Sequence, residues 1–270
     1  MKVHSKHFIV TGGGSGMGRN LVLQLLKKGA SVVAVDINQK GLDETSSLAD
    51  NSKSALQLIQ LDITDQKAVQ ETIAKIISEN GPIDGIVNNA GIIQPFKKLN
   101  DLDYSVIQRV FNVNLMGTLY LTKTILPHLL GRPEAHIVNV SSMGGFFAFP
   151  GQTIYGASKA AVKMMTEGLI QELRNTNVHV SVVFPGAVNT NIMSNSGLGN
   201  KVDPSAAAEQ SNMMLSAEKA AEIMIDGIEK NKKRIFVGKD AKTMDLLYRL
   251  SPNRAVSFIA KKMGHHLPKD

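Results

Sequence analysis

His7-Phe8-Ile9-Val10-Thr11-Gly12-Gly13-Gly14-Ser15-Gly16-Met17-Gly18-Arg19-Asn20-Leu21-Val22-Leu23-Gln24-Leu25-Leu26 runs from an apolar pentapeptide through a glycine cluster into a segment with apolar residues at Leu21, Leu25 and Leu26. The pattern is that of a strand, a tight turn and a helix. Glycines let a backbone approach a pyrophosphate closely, and a helix N-terminus aims amides and partial positive charge at it. A second apolar run, Ser31-Val32-Val33-Ala34-Val35-Asp36, follows and ends in an acid at the spacing expected for a ribose contact. Together the two runs assign Gly12, Ser15, Gly16, Met17 and Gly18 to a bound dinucleotide.

Asp36 bears on which dinucleotide. A carboxylate there accepts hydrogen bonds from ribose hydroxyls and repels a 2′-phosphate. Ser15 in the turn and Ile37 after the acid supply no cation for that phosphate. NAD is therefore expected, with NADP as the alternative because Arg19 lies in the first helical turn.

Outward from this unit, strand-like runs recur at 56–61, 84–88, 136–141, 178–184 and 234–237, and helical patterns at 66–79, 101–130, 152–174 and 216–230. Continuous apolar runs such as Val178-His179-Val180-Ser181-Val182-Val183-Phe184 fit strands buried on both faces of a parallel sheet. The expected fold is α/β: a Rossmann-type doubly wound parallel sheet of about seven strands. No repeat or linker divides the chain, so residues 1–240 read as one domain and 241–270 as its helical extension. The connection 190–215 follows a sheet strand and carries Asn191-Ile192-Met193 and Met213-Met214. It reads as a lid over a ligand, or as a loop whose methionines merely fill gaps.

The chain has 270 residues, 43% of them hydrophobic, which is ample for a core. No apolar stretch is long enough to cross a bilayer and no signal-peptide pattern precedes the first strand, so a mature cytoplasmic protein is expected. Cysteine is absent, which excludes disulfides and thiol chemistry. The net charge of +7 comes without zinc-ligand spacing, an aromatic RNA-binding signature or a basic arm. Neither a metal nor a nucleic-acid partner is expected.

Tyr155 and Lys159 lie four apart in Tyr155-Gly156-Ala157-Ser158-Lys159, on one face of a predicted helix. A free phenol titrates near ~10. A cation at ~4 Å attracts a phenolate by roughly 4 kcal/mol at an effective dielectric of ~20, before desolvation. The pair therefore suits proton transfer, although Y-x-x-x-K alone is a weak signal.

The motifs in register resemble those of the short-chain dehydrogenase/reductase family. Thr11-Gly12 through Gly16 and Gly18 reproduce its T-G-x-x-x-G-x-G turn, and Asn88-Asn89-Ala90-Gly91 its N-N-A-G signature. Asp62 and Ile63 resemble its adenine-contacting pair. Asn114, Ser142, Tyr155 and Lys159 match its tetrad, and Pro185-Gly186 with Val188 and Thr190 match the segment at the nicotinamide end. The resemblance implies Tyr155 as general acid or base and Ser142 as the holder of the substrate oxygen. It implies that Lys159 lowers the tyrosine pKa and contacts the ribose, that Asn114 positions a relay water, and that Asn89 touches the cofactor. Ser141 could substitute for Ser142, but neighbouring strand-end residues face opposite ways, which favours Ser142.

The resemblance further implies hydride exchange between a secondary alcohol and its ketone. Phe146, Phe147 and Phe149 either line an apolar substrate pocket or belong to the core. An NADPH-dependent carbonyl reductase is the alternative, and a non-catalytic dinucleotide sensor is disfavoured because Tyr155 and Lys159 are both present. The chain departs from the family beyond residue 240. There Met244, Leu247 and Tyr248, then Ala255, Phe258 and Ile259 past Pro252, form an interrupted stripe. Docking on the protein's own core or a second subunit is favoured over peripheral membrane contact. A homodimer through 101–130 and 152–174, or a homotetramer, is expected.

Overall fold

The computed structural model describes residues 1–147, 149–198 and 214–263. Seven parallel strands form one sheet: β1 (His7–Thr11), β2 (Ser31–Asp36), β3 (Leu56–Gln60), β4 (Gly85–Asn88), β5 (Ala135–Val140), β6 (Val178–Pro185) and, last in the chain, β9 (Arg234–Val237). Their order across the sheet is β3-β2-β1-β4-β5-β6-β9. The winding therefore reverses between β1 and β4, and open α/β sheets bind ligands in the crevice outside the carboxyl ends at such a reversal. A separate two-stranded pair joins β7 (Val188–Asn189) to β8 (Leu215–Ser216).

Alternation along the strands builds a core on each face. Phe8, Val10, Val32 and Ala34 point to a layer shared with Leu21, Leu25, Met224 and Ile228. Ile9, Val33 and Val35 point the other way, to Ile73, Ile76, Leu121 and Ile125. Successive strand side chains take opposite faces, so near-continuous apolar runs are what a doubly covered sheet requires. The helices are α1 (Gly16–Lys27), α2 (Gln39–Leu48), α3 (Gln66–Asn80), α4 (Tyr104–Phe111), α5 (Thr118–Leu130), α6 (Thr153–Glu172), α7 (Ile192–Asn195), α8 (Ala217–Glu229), α9 (Lys239–Leu250) and α10 (Pro252–Met263).

Two features differ from the sequence expectation. Helix α2 was not foreseen; it buries little beyond Gly41, Leu42 and Thr45, and it starts at Asn38, whose side chain accepts from the Gly41 amide. The expected single helix 101–130 is two helices joined by a π-helical turn, Asn112–Gly117. The widened turn leaves the Asn114 carbonyl to the Thr118 hydroxyl, which donates to it at 2.9 Å.

The C-terminal stripe docks on the protein's own core, as favoured. Met244, Ala255 and Ile259 are buried with Phe146, Phe147 and Phe184, with Leu247 and Tyr248 packed alongside. Phe258 is the exception and stays exposed. Most of the expected lid, including Met213 and the alanine run 206–208, lies outside the described residues.

Candidate active site

Every predicted site residue falls at or beyond the carboxyl end of a strand or on a helix packed beside it. After β1, the turn takes positive φ at Gly12 (70°) and Gly16 (51°), conformations that side-chain-bearing residues resist. Gly18 has no room for a Cβ, which would sit 1.9 Å from the Gly12 carbonyl oxygen. Thr11 ties this turn to the strand beyond the reversal: its hydroxyl accepts from the amides of Asn89 and Ala90, both at 3.1 Å. Asn89 donates back to the Thr11 carbonyl at 3.0 Å.

Asp36 at the end of β2 faces the same turn. One carboxylate oxygen accepts from the Gly14 amide at 2.9 Å and the other from the Asn38 amide at 3.0 Å. Arg19, the cation left in question by the sequence, is turned away. It binds the Gly14 carbonyl, the Gly41 carbonyl (3.3 Å), Thr45 (3.1 Å) and Glu44 (2.7 Å).

A cavity of about 550 Å³ opens over these strand ends. Gly12, Ser15, Gly16, Met17, Asp36, Asp62, Ile63, Asn89 and Thr190 line it. Gly18, Val188, Tyr155 and Lys159 do not; Gly18 packs behind the turn against Gly12 and Asn89, Val188 pairs with Leu215, and Tyr155 and Lys159 lie on α6. Ile37, also on the lining, is 62% exposed beside Asp36. The far wall, from Ser105, Gln108, Arg109 and Val113 of the α4 region, was not foreseen, because those residues carry no motif. The short helix α7 reaches across: Asn195 donates to the Ser15 hydroxyl at 2.8 Å.

Gly91 connects the cavity to the four tetrad residues. It lines the cavity, and a Cβ built on it would lie 3.1 Å from both Asn114 Oδ1 and Lys159 Nζ. Asn114, fully buried in the π-helical turn, grips the backbone of Ile92 from both sides at 2.9 Å and donates to Ser158 at 2.9 Å. Ser158 in turn donates to the Tyr155 carbonyl at 2.7 Å. Ser142 follows β5; its hydroxyl accepts from the Gly144 amide at 3.0 Å and acts on the Tyr155 phenol, lowering its pKa. Ser141 faces the other way and donates to the Lys159 carbonyl at 2.7 Å.

Lys159 Nζ donates to the Val140 carbonyl at 2.9 Å. Burial pushes its pKa down to about 8. Burial likewise pushes the Tyr155 phenol above its ordinary value, with the Ser142 hydroxyl acting in the opposite direction. Burial thus acts against the lowering that the resemblance implies for the tyrosine. Both groups sit where loss of water disfavours their charged forms, so desolvation outweighs the attraction worked out for a solvated pair.

Phe146 and Phe147 are core residues. Their rings meet each other at 5.4 Å between centroids, and Phe146 meets Phe184 at 5.5 Å and Tyr248 at 6.4 Å. Beneath the site runs a buried polar chain with no motif signature. Asn88 donates to Asn139 (2.8 Å) and Thr122 (3.0 Å), and Asn139 donates to Thr166 (3.0 Å), tying β4 and β5 to α5 and α6.

Comparison with known proteins agrees with this geometry. The sequence profile of the family described as short chain dehydrogenase matches residues 6–201. A Mycobacterium tuberculosis protein carrying the oxidoreductase name SadH is 32% identical over 265 residues, spanning 96% of each chain. The 3-oxoacyl-[acyl-carrier-protein] reductase FabG of Thermotoga maritima is 35% identical over 192 residues, 70% of this chain and 77% of that one. Among solved structures, a short chain dehydrogenase/reductase from Burkholderia phymatum in complex with NAD superposes with a TM-score of 0.83 at 26% identity, covering 94% of this chain and 96% of that chain. A serine dehydrogenase complexed with NADP+ gives 0.76 at 27% identity over 86% and 93%. With its parallel sheet wound about the glycine turn, and these relatives along its length, the chain belongs to the short-chain dehydrogenase/reductase family of oxidoreductases.

Proposed function

We propose that this protein is an NAD(H)-dependent dehydrogenase that interconverts a secondary alcohol and its ketone. The observation that carries the reading is the placing of Tyr155 against Ser142, with the buried Lys159 one helical turn on and next to Gly91 of the cavity wall. The cavity's donors and acceptors suit that cofactor. Glycine-turn amides suit the pyrophosphate, and the Asp36 carboxylate suits ribose hydroxyls. Bound nicotinamide would supply or accept the hydride.

The chain's own residues handle the oxygen and its proton. Ser142 holds the substrate oxygen, and Tyr155 gives it a proton in reduction or takes one in oxidation. Lys159 stabilises charge on the phenol. Asn114, in the π-helical turn and bonded to Ile92, places the relay that returns the proton to solvent.

NAD is favoured over NADP because Asp36 faces the turn while Arg19 is occupied by two carbonyls and Glu44. A lipophilic substrate keeps only a mild preference, now without Phe146 and Phe147 to support it. We read residues 1–240 as one catalytic domain with 241–270 as its extension, the whole assembling as a homo-oligomer in the cytoplasm. Among the described residues no helix is long and apolar enough to cross a membrane.

The test is turnover by purified protein on a panel of secondary alcohols and ketones with NAD(H) and NADP(H), with Tyr155→Phe as control. Tyr155-dependent turnover that prefers NAD(H) supports the reading. Tight cofactor binding without turnover across the panel would favour the sensor reading instead.

A further inference from the structure

Gln94 lies three residues beyond the Asn88–Gly91 motif, in the loop after β4, and is fully buried. Its side-chain oxygen accepts from two successive amides at the start of α6, Ile154 at 2.7 Å and Tyr155 itself at 3.0 Å. Its side-chain nitrogen donates to the Gly151 carbonyl at 2.9 Å. Gln152, also buried, returns a bond by donating to the Gln94 carbonyl at 2.8 Å. Four hydrogen bonds thus join one residue of a distant loop to the single turn that presents Tyr155. Helix α6 has no side-chain cap of its own: Gln152 holds the cap position and makes no capping bond. A helix start leaves amides unpaired unless something accepts from them, and here the acceptor comes from elsewhere in the fold.

We propose that Gln94 is a positioning residue for Tyr155, fixing the first turn of α6 against the Ile92–Gln94 loop through a neutral acceptor on the Tyr155 amide. The proposal rests on Tyr155 being the proton-transfer group. Neutrality matters because a carboxylate could make the same two amide bonds but would place a negative charge in the same helical turn as a group that must pass through its own anionic form. The loop is held from its other end by Asn114, which grips Ile92. Residues 92–94 therefore bridge the π-helical turn and α6, and Gln94 is the end of that bridge that reaches the tyrosine.

The test needs neither substrate nor cofactor. The protein has four tyrosines and no tryptophan, so protein labelled with 13C at tyrosine Cζ gives four resonances. Tyr155→Phe identifies the one of interest. In Gln94→Glu, which keeps both amide bonds but loses the bond donated to the Gly151 carbonyl, thermal stability should fall and the Tyr155 titration midpoint should rise by about one pH unit, as expected for a unit charge ~10 Å away at an effective dielectric of ~20. In Gln94→Leu, which leaves both amides without their acceptor, the Tyr155 resonance should shift and broaden while the other three stay in place. A Tyr155 midpoint in Gln94→Glu matching the wild type overturns the proposal. So does an unmoved, sharp Tyr155 resonance in Gln94→Leu. Turnover by Tyr155→Phe separately tests the dehydrogenase reading, so either idea can fail without the other.

Discussion

Replacing Asp36 by serine, with Ile37→Arg beside it, should move the cofactor preference from NAD toward NADP. In the structure the carboxylate is held in place by the Gly14 and Asn38 amides, and Arg19 has no freedom to neutralise it. Two effects add. Loss of charge-assisted bonds from Asp36 to ribose hydroxyls should weaken NAD by roughly 1.5–3 kcal/mol. Removing the carboxylate also removes its repulsion of a 2′-phosphate, about 4 kcal/mol for unit charges at ~4 Å and a dielectric of ~20. The partial exposure of the strand end and ordinary salt cut that by at least half. The combined swing is therefore roughly 3–5 kcal/mol, or a hundred- to several-thousand-fold in the ratio of dissociation constants. Calorimetric titration of NAD and NADP into wild type and variant measures it, and Asp36→Asn separates charge from shape. A ratio of the two constants that stays within threefold of wild type would refute both the ribose contact and the repulsion argument.

Three further outcomes are expected. Tyr155→Phe should bind NAD with unchanged affinity and lose at least a hundredfold in kcat, read by stopped-flow or steady-state turnover on the substrate the panel identifies; near-normal kcat would remove the phenol from the chemistry. Lys159, with its pKa pushed down to about 8, is cationic below that pH and neutral above it. Activity that needs the cation should fall above pH ~8. Between about 8 and the unfolded value near 10.5 the unfolded chain holds the extra proton, so this residue's contribution to stability should rise as activity falls; a profile flat to pH 9.5 would contradict the assignment. His136 is buried with its pKa pushed down to about 3 by burial first and by His179 second. Ser181 donates to the Lys232 carbonyl, so His136 Nε2 donates to Ser181 at 2.7 Å and Nδ1 carries an unpartnered lone pair. The unfolded chain takes up this proton below about 6.5 and the folded one does not, so about 3 kcal/mol of stability should vanish between pH 7 and 4. Urea unfolding of wild type against His136→Gln at both pH values checks it, and equal acid losses would count against the buried neutral imidazole.

The sheet was readable because its strands are covered on both sides. Ser31–Asp36 and Val178–Pro185 leave almost no position to water, so their apolar runs have few other places to go in a chain of this size. The turn after β1 was readable for another reason: Gly12 and Gly16 need positive φ and Gly18 needs an absent Cβ, constraints that sequence displays directly. What stayed hidden depends on neighbours that sequence does not display. Helix α2 has too few buried positions to print a period. Phe146 and Phe147 could face a pocket or a core until α9 and α10 were seen to cover them. Gln94 is one glutamine among several, and only the fold brings it to the start of α6. How dry the tyrosine's surroundings are, which works against the pull of the lysine on its pKa, is likewise nothing that spacing along a helix displays.

The π-helical turn at Asn112–Gly117 has a consequence for length. A loop absorbs an inserted or deleted residue by changing its path, but this turn is flanked by regular helix on both sides. A π turn spends one residue more than an α turn on the same rotation, so deleting one residue from it would restore ordinary winding and leave the two flanks facing as before. Helix α5 would keep Leu121 and Ile125 on the sheet, but the widened turn that carries Asn114 to Ile92 would be gone. The segment thus holds one residue that packing does not require: a change of one in chain length here spares the fold and costs the site.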